Sequence, residues 1–315
     1  MKRPILIAVL SLGALCPAPA ADKPADKEIV LLASKPSHGP GQHEHNADVL
    51  LFAKWLNGIP GIHAVTYLNG DWPETPVFER ADEIFLDADG AEGHPFFQGD
   101  HTGIINRAAK RGVGLMFYHW ATEPPAKSGH QEMLDWTAGY FELNYSVNPL
   151  FDASFNALPN HPITRGVKPF HIRDEWYYNN RFRDSLRGFT PILITTPPAD
   201  TVKGDGPRSG NPDVRSKAGQ PQFVAWAGER QDGGRSMSFC GGHYHSNLGD
   251  PNFRRIVMNG ILWVAKAEVP PEGFEVTVTP EDLTANLDPK QMRGGGRGAP
   301  AGPSPAPNAA PGQRP

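Results

Sequence analysis

The sequence of 315 residues has little cysteine and no long apolar segment, and neither sign of charge dominates. It contains two cysteines, Cys16 and Cys240, and its formal net charge at pH 7 is -4. Without a basic excess, the chain lacks the electrostatic footprint of a nucleic-acid-binding protein. The apolar run at residues 5–15 is shorter than the roughly 20 residues that a membrane-spanning helix needs. We therefore expect neither a nucleic-acid partner nor a membrane span.

The first twenty residues have the features of a signal peptide. Lys2 and Arg3 precede the apolar run, and residues 18–20 read Ala-Pro-Ala, a small-residue cleavage pattern. We interpret residues 1–20 as a cleaved signal peptide and expect export to the periplasm or the medium. Leucine before Cys16 is bulkier than the residue that lipoprotein processing requires. Removal of Cys16 leaves Cys240 alone, which excludes an intramolecular disulfide.

The mature chain is accordingly expected to begin at Ala21 or Asp22. Cleavage follows the small residues at the end of the apolar run, so the new N-terminus should lie directly after them. Intact mass spectrometry of the exported protein checks this expectation. A chain that retains Met1, or one that carries lipid on Cys16, would contradict it.

Short apolar segments alternate with segments of helical periodicity, which predicts an α/β fold with a doubly wound, mostly parallel sheet flanked by helices. The segment 113–120 is almost entirely apolar, as expected for a strand covered on both faces. The predicted strands are 29–33, 63–68, 83–90, 113–120, 191–195, 223–226 and 235–240. The predicted helices are 47–56 with Asn46 as N-cap, 103–111, and one that follows Asp250 or Asn252.

The domain organisation follows from changes in composition. The α/β domain is predicted to span residues 28–268, with a Pro- and Gly-rich surface excursion at 197–221. Residues 269–290 form a C-terminal extension. Residues 291–315 are rich in Gly, Pro and Ala with few apolar anchors, and we predict a disordered tail there.

Histidines and carboxylates are concentrated in the turns that follow the predicted strands. Since the carboxyl ends of parallel strands lie at one edge of a sheet, we expect these turns to converge on a shared cleft. A polar and aromatic patch at 174–180 contributes Glu175, Trp176 and Tyr177. The turn residues are His38, His43 and His45 after the first strand, Asp89 after the third, His119 after the fourth, and His243 and His245 after the last.

Taken together, these landmarks resemble the trehalose-utilisation (ThuA-like) family, a branch of the class I glutamine amidotransferase-like fold. The segments that carry the resemblance are 37–45, 90–95, 114–119, 161–167, 174–177 and 241–245, and they occur in order between about residues 28 and 268. The resemblance implies a flavodoxin-like α/β domain and a link to trehalose or related sugars. Amidotransferases of this fold carry a nucleophilic cysteine after the fourth strand, where this sequence has His119. That departure excludes Cys-dependent amide hydrolysis.

Candidate roles follow from side-chain chemistry. For catalysis we assign His119 and Glu175, because imidazole and carboxylate groups transfer protons near neutral pH. Imidazole with carboxylate also suits Zn²⁺, Mn²⁺, Fe²⁺ or Ni²⁺, although no compact motif such as H-E-x-x-H is present. The metal-ligand candidates are His43, His45 and His243. The substrate-binding candidates are His38, Asp89, Trp176, Tyr177 and His245. No nucleotide cofactor is expected.

The favoured function is that of an exported enzyme that acts on a sugar or an oxidised (keto) glycoside. Histidine and carboxylate groups would do the acid–base work, with a divalent metal assisting, in an isomerase, an epimerase, a lyase or a hydrolase. The alternative is a non-catalytic carbohydrate-binding or accessory protein with a disabled amidotransferase-like site. The expected partner is a small sugar or glycoside, and homo-oligomerisation stays open.

Overall fold

The computed structural model describes residues 26–291, so the predicted signal peptide and residues 292–315 of the predicted tail lie outside the described residues. Eleven strands and six α-helices follow one another in this range. The strands are β1 (Lys27–Ala33), β2 (Ile62–Tyr67), β3 (Glu83–Asp87), β4 (Gly114–Tyr118), β5 (Gly139–Tyr140), β6 (Leu150–Phe155), β7 (Phe170–Glu175), β8 (Arg181–Phe182), β9 (Phe189–Thr195), β10 (Gln222–Glu229) and β11 (Arg235–Phe239). The helices are α1 (His45–Leu56), α2 (Thr75–Arg80), α3 (His101–Lys110), α4 (His130–Thr137), α5 (Pro212–Ser216) and α6 (Pro251–Val264).

Seven strands form the central sheet in the order β2-β1-β3-β4-β11-β10-β9. The five strands from β2 to β11 are parallel, β10 pairs antiparallel with β11, and β9 pairs antiparallel with β10. Short pairs of strands, β5 with β8 and β6 with β7, lie outside this sheet. The predicted doubly wound, mostly parallel α/β sheet is thus confirmed.

Each face of the sheet carries its own apolar core. Alternate residues of β1 point to opposite faces: Ile29 and Leu31 pack in one cluster with α1 and α6, while Val30 and Leu32 pack in the other with α3. All four of these side chains are buried. Burial on both faces explains why the strands read as continuous apolar runs rather than as alternating ones.

The first helix begins two residues earlier than the sequence suggested. Its N-cap is Glu44, which makes no side-chain capping bond, so the prediction that Asn46 caps this helix is wrong. Instead Asn46 lies in the first turn, where its amide donates to Asn69 and to Asp288. A side chain committed to these distant partners is not free to accept from the amides of its own first turn.

Residues 269–290 pack against the domain. The Phe274 side chain is buried, and its ring lies 6.4 Å from that of Trp55 in α1. The Phe274 amide donates to Asn259 of α6 at 2.7 Å. Further along, Asp282 pairs with Lys54 at 2.5 Å. The extension therefore runs back along α1 toward the helix N-terminus.

The excursion at 197–221 contains α5, where Val214 is buried and Asn211 caps the helix N-terminus. The excursion contacts the chain just before β6, where the Asn148 amide donates to the Arg208 carbonyl at 3.1 Å. Within residues 26–291, the helices are too short or too polar for any of them to cross a bilayer.

Candidate functional site

Three turns and one hairpin meet at the carboxyl edge of the parallel strands. The His43 amide donates to the His243 carbonyl at 3.0 Å, and the His245 amide donates to the Gly41 carbonyl at 3.1 Å. These two bonds join the turn after β1 to the turn after β11. The β6–β7 hairpin brings the last residue of β7, Glu175, to the same place. The turn after β4 contributes His119.

Four side chains from these segments form a compact cluster, which we call the His/Glu cluster: His43, His119, Glu175 and His243. Their ligand-type atoms all lie within 4.8 Å of one another. The His43 Nε2 atom is 3.1 Å from His243 Nδ1. The Glu175 Oε2 atom is 3.4 Å from His243 Nδ1 and 3.5 Å from His119 Nε2. The three histidines are buried and Glu175 is half-buried.

These separations suit a metal ion. With metal–ligand bonds of about 2.1 Å, neighbouring ligand atoms of a tetrahedral site are about 3.4 Å apart. The three separations in the His/Glu cluster are close to that value. Three imidazole nitrogens with one carboxylate oxygen match the ligand preference of Zn²⁺ and other divalent transition metals, and not that of Mg²⁺ or Ca²⁺. The residues present therefore fit such an ion.

His119 occupies a strained turn directly after β4. Its φ of 50° lies in the left-handed region, which a non-glycine residue enters only where the surroundings enforce it. The Nδ1 atom lies 3.1 Å from the Cys240 carbonyl, an acceptor, so Nδ1 carries a proton and Nε2 faces the cluster. Burial lowers the pKa of His119, but the hydrogen bond and charge of Glu175 outweigh it and raise the pKa.

His43 is also held in the left-handed region, with a φ of 47°. Its Nδ1 atom lies 3.3 Å from Asp89 Oδ1, an arrangement that orients Nε2 as a ligand. Burial lowers the pKa of His43 well below its usual value, which keeps the ring neutral, the form that binds metals. Burial alone would raise the pKa of Asp89, but bonds from His43, His45 and Ser37 lower it.

Sequence reasoning gave no role to Asp174, which fixes the backbone of two cluster residues. Its fully buried carboxylate accepts from the amides of Glu175 at 2.8 Å, Gly242 at 2.7 Å and His243 at 3.1 Å. Gly242 has a φ of 112°, and a Cβ atom there would lie 2.4 Å from the Tyr118 ring. The turn after β11 therefore needs both its glycine and its carboxylate.

Two histidines assigned from the sequence lie beside the cluster rather than in it. His45, predicted as a metal ligand, places Nδ1 2.6 Å from Asp87 and Nε2 3.2 Å from Asp89. These carboxylates outweigh burial and raise the pKa of His45 to about 10, so the ring is a cation engaged on both nitrogens. His245, predicted to bind substrate, is buried with Nδ1 2.5 Å from Asp48. Neither geometry matches the role that the sequence suggested.

The two aromatic residues predicted to bind substrate, Trp176 and Tyr177, have different surroundings. Trp176 is fully buried and packs against Phe239 and Phe253, so the structure places it in the core and not at a substrate surface. Tyr177 points the other way, with its hydroxyl 3.3 Å from His119 Nε2. His38 stacks on His43 with ring centroids 3.6 Å apart, and the residue is exposed.

A cleft of about 870 Å³ opens beside the cluster, between the β6–β7 hairpin and the 197–221 excursion. Glu175 is the cluster residue that lines it. Its charged walls are largely paired, Arg173 with Asp152 at 3.0 Å and Arg208 with the buried Glu123 at 2.6 Å. The volume is within the range of small-molecule sites, roughly 300–1,000 Å³. A polar, charge-balanced cleft suits a hydroxylated ligand.

Cys240, directly after β11, is buried and is not a member of the His/Glu cluster. Burial raises the pKa of its thiol to about 12, so the nucleophilic thiolate is not available at neutral pH. The structure thus agrees with the exclusion of cysteine-dependent amide hydrolysis.

The comparisons with known proteins agree with this architecture. The ThuA family model, described as trehalose utilisation, matches residues 91–264, which include His119, Glu175 and His243. A ThuA-like protein from Bacteroides uniformis ATCC 8492 is 13% identical and has a TM-score of 0.55 over 79% of this chain and 95% of its own. One from Parabacteroides merdae ATCC 43184 is 12% identical, with a TM-score of 0.53 over 76% and 90%. At these identities the likeness shows the fold. No curated protein matches the chain.

Proposed function

The chain belongs to the ThuA family, and from that premise we propose that it is an exported, metal-assisted enzyme acting on a sugar or an oxidised (keto) glycoside. The family description links it to trehalose utilisation. The signal-peptide pattern of residues 1–20 supports export. The reaction begins with proton transfer between a carboxylate and a carbon next to a sugar carbonyl, a step shared by isomerases, epimerases and lyases.

The observation that carries this proposal is the His/Glu cluster, of which Glu175 lines the cleft. Three imidazole nitrogens and one carboxylate oxygen, from four segments that are distant in sequence, lie within 4.8 Å of one another. Two of the histidines hold left-handed backbone conformations. Strain of this kind costs of order 1–3 kcal/mol at each residue and is concentrated at functional sites.

The residues divide the work by position. His43, His119 and His243 would hold the ion, since their facing nitrogens are buried. A bound divalent ion polarises a carbonyl or hydroxyl oxygen of the substrate. Glu175 lines the cleft and is the group that meets the substrate. Burial raises the pKa of Glu175, but the bonds and charges of His119 and His243 lower it by more, so the carboxylate is ionised, the form that a general base requires.

Two further side chains would position the sugar. Tyr177 holds a buried hydroxyl beside His119 Nε2, where it can donate to a substrate oxygen. His38 is exposed and stacks on His43. Partial burial lowers the pKa of His38 to about 4, although the charge of Asp89 opposes the effect. A neutral imidazole there can both donate and accept with sugar hydroxyls.

Elemental analysis of the purified protein, paired with turnover of keto-trehalose and related keto-glycosides, tests the proposal. We expect about one transition-metal ion per chain, turnover that a chelator removes, and recovery when the metal is returned. A metal-free protein without turnover would refute it. Sugar binding in calorimetry by such a protein would instead favour the accessory role.

A further inference from the structure

The C-terminal extension contacts the loop between β1 and α1 through Lys290. The Lys290 ammonium donates to the Gln42 carbonyl at 2.5 Å and to the His43 carbonyl at 2.9 Å. It also lies 3.2 Å from Glu44 Oε1. The Lys290 side chain is only 5% exposed and that of Glu44 is fully buried. A buried ammonium is costly unless it is paired and hydrogen-bonded, and this one has three acceptors.

The backbone of the loop around His43 is fixed by bonds to two distant parts of the chain. His43 keeps a left-handed backbone, which persists only where neighbours over-determine it. On one side the His43 amide bonds to the His243 carbonyl. On the other side, Lys290 binds the His43 carbonyl and the Asp288 amide binds Glu44 Oε2 at 2.9 Å. The peptide units that set the direction of the His43 ring are therefore held from both sides.

We propose that Lys290 is a positioning residue, and that the extension is a strap which holds His43 in the orientation that binds the metal. Lys290 reaches across 247 positions of sequence to the residue it supports. It touches no ligand-type atom of the His/Glu cluster and acts through the backbone of His43. The part that concerns ion binding rests on the proposed function, whereas the part that concerns the loop does not.

The test replaces Lys290 by methionine in the full chain. Lys290→Met keeps most of the length of the side chain and removes its two hydrogen bonds and its ion pair with Glu44. We expect Zn²⁺ affinity, measured by competition with a chromophoric chelator, to fall by roughly 10–100-fold, as for other residues that orient metal ligands. Amide hydrogen exchange at Gly41, His43 and His245 should become faster, because those amides close the loop.

A matched control removes another lysine that anchors the same extension. Lys54→Met breaks the pair with Asp282, in which Lys54 is 65% exposed. It should leave both the Zn²⁺ affinity and the exchange of the loop amides unchanged. A chain that ends at Gln291 retains Lys290 and should also behave like the wild type.

A double variant separates positioning from simple charge compensation. Lys290→Met/Glu44→Gln removes the buried carboxylate charge that would otherwise be left unpaired. If Lys290 positions His43, Zn²⁺ affinity stays low in this variant. Recovery to the wild-type value would overturn the proposal.

The loop measurement stands by itself if the wild type binds no Zn²⁺. That result would refute the proposed function. The hydrogen-exchange comparison would still test whether Lys290 holds the His43 loop in place. Equal protection of the His43 amide in Lys290→Met and in the wild type would then overturn it.

Discussion

Replacing His119 by asparagine should abolish most turnover and weaken ion binding while leaving the fold intact. Asparagine tolerates the left-handed backbone that His119 adopts. Its amide nitrogen can take the place of Nδ1 and donate to the Cys240 carbonyl. What disappears is Nε2, the atom 3.5 Å from Glu175. Because Nε2 is one of the three nitrogens proposed to hold the ion, we expect kcat and Zn²⁺ affinity each to fall by at least roughly 10–100-fold, the loss found even for residues that only orient metal ligands.

Steady-state kinetics on the keto-glycoside that the wild type turns over, with Zn²⁺ titration and thermal unfolding on the same sample, measure this effect. His171→Asn makes the same chemical change at an exposed histidine of β7 and should match the wild type. Unchanged turnover in His119→Asn would remove His119 from the mechanism. A large loss of stability would show instead that its role is structural.

Asp174 should be the residue outside the cluster to which stability and site geometry are most sensitive. Asp174→Ala leaves the amides of Glu175, Gly242 and His243 without their acceptor in a buried place. Buried unsatisfied donors cost about 1–3 kcal/mol each, so the free energy of unfolding should fall by about 3 kcal/mol or more. Because two of those amides belong to cluster residues, ion affinity should fall with it.

Urea unfolding and Zn²⁺ titration give the two readouts for Asp174. Asp174→Asn keeps one acceptor oxygen and should fold, with intermediate stability and weakened ion binding, which keeps the test decisive if the alanine variant does not fold. As a control, Asp205→Ala removes a 78% exposed carboxylate paired with Arg215. It should change stability by less than about 0.5 kcal/mol. Wild-type stability and affinity in Asp174→Ala would contradict the assignment.

The parallel sheet and the meeting of its turns were open to prediction because they follow from chain order. Buried strands read as apolar runs, and the carboxyl ends of parallel strands share one edge. That reasoning placed His43, His119 and His243 in turns that the structure brings together. It needed no knowledge of loop conformation.

Which side chain of a loop faces the site was harder to foresee. His43 and His45 are two residues apart and both contact Asp89, yet the other nitrogen of His43 faces His243 whereas that of His45 faces Asp87. His43 has a left-handed backbone and His45 begins α1, so the two rings leave the loop in different directions. For Trp176 a usable signal existed. Side chains alternate along extended chain, so Glu175 and Tyr177 face the cluster whereas Trp176 faces the core.

The contributions of Asp174 and Lys290 could not be read from the sequence, because both act on backbone atoms far along the chain. Asp174 binds amides up to 69 positions away, and Lys290 binds a carbonyl 247 positions away. Hydrophobic periodicity and motif spacing carry no record of such partners. The partners of these two side chains come within hydrogen-bonding distance only in the folded domain.

His43 and His243 are 200 positions apart in the sequence, and their nitrogens meet only when the domain has folded. Binding of an ion at this site would therefore depend on completed folding. An unfolded chain does not present these nitrogens together, so an ion binds the native state preferentially. Mass action then raises the unfolding free energy by about 1.4 kcal/mol for each tenfold rise in free ion above the dissociation constant. Since divalent ions compete for such sites largely by availability, the pool of metal ions around the chain where folding is completed would decide which ion the proposed site takes up.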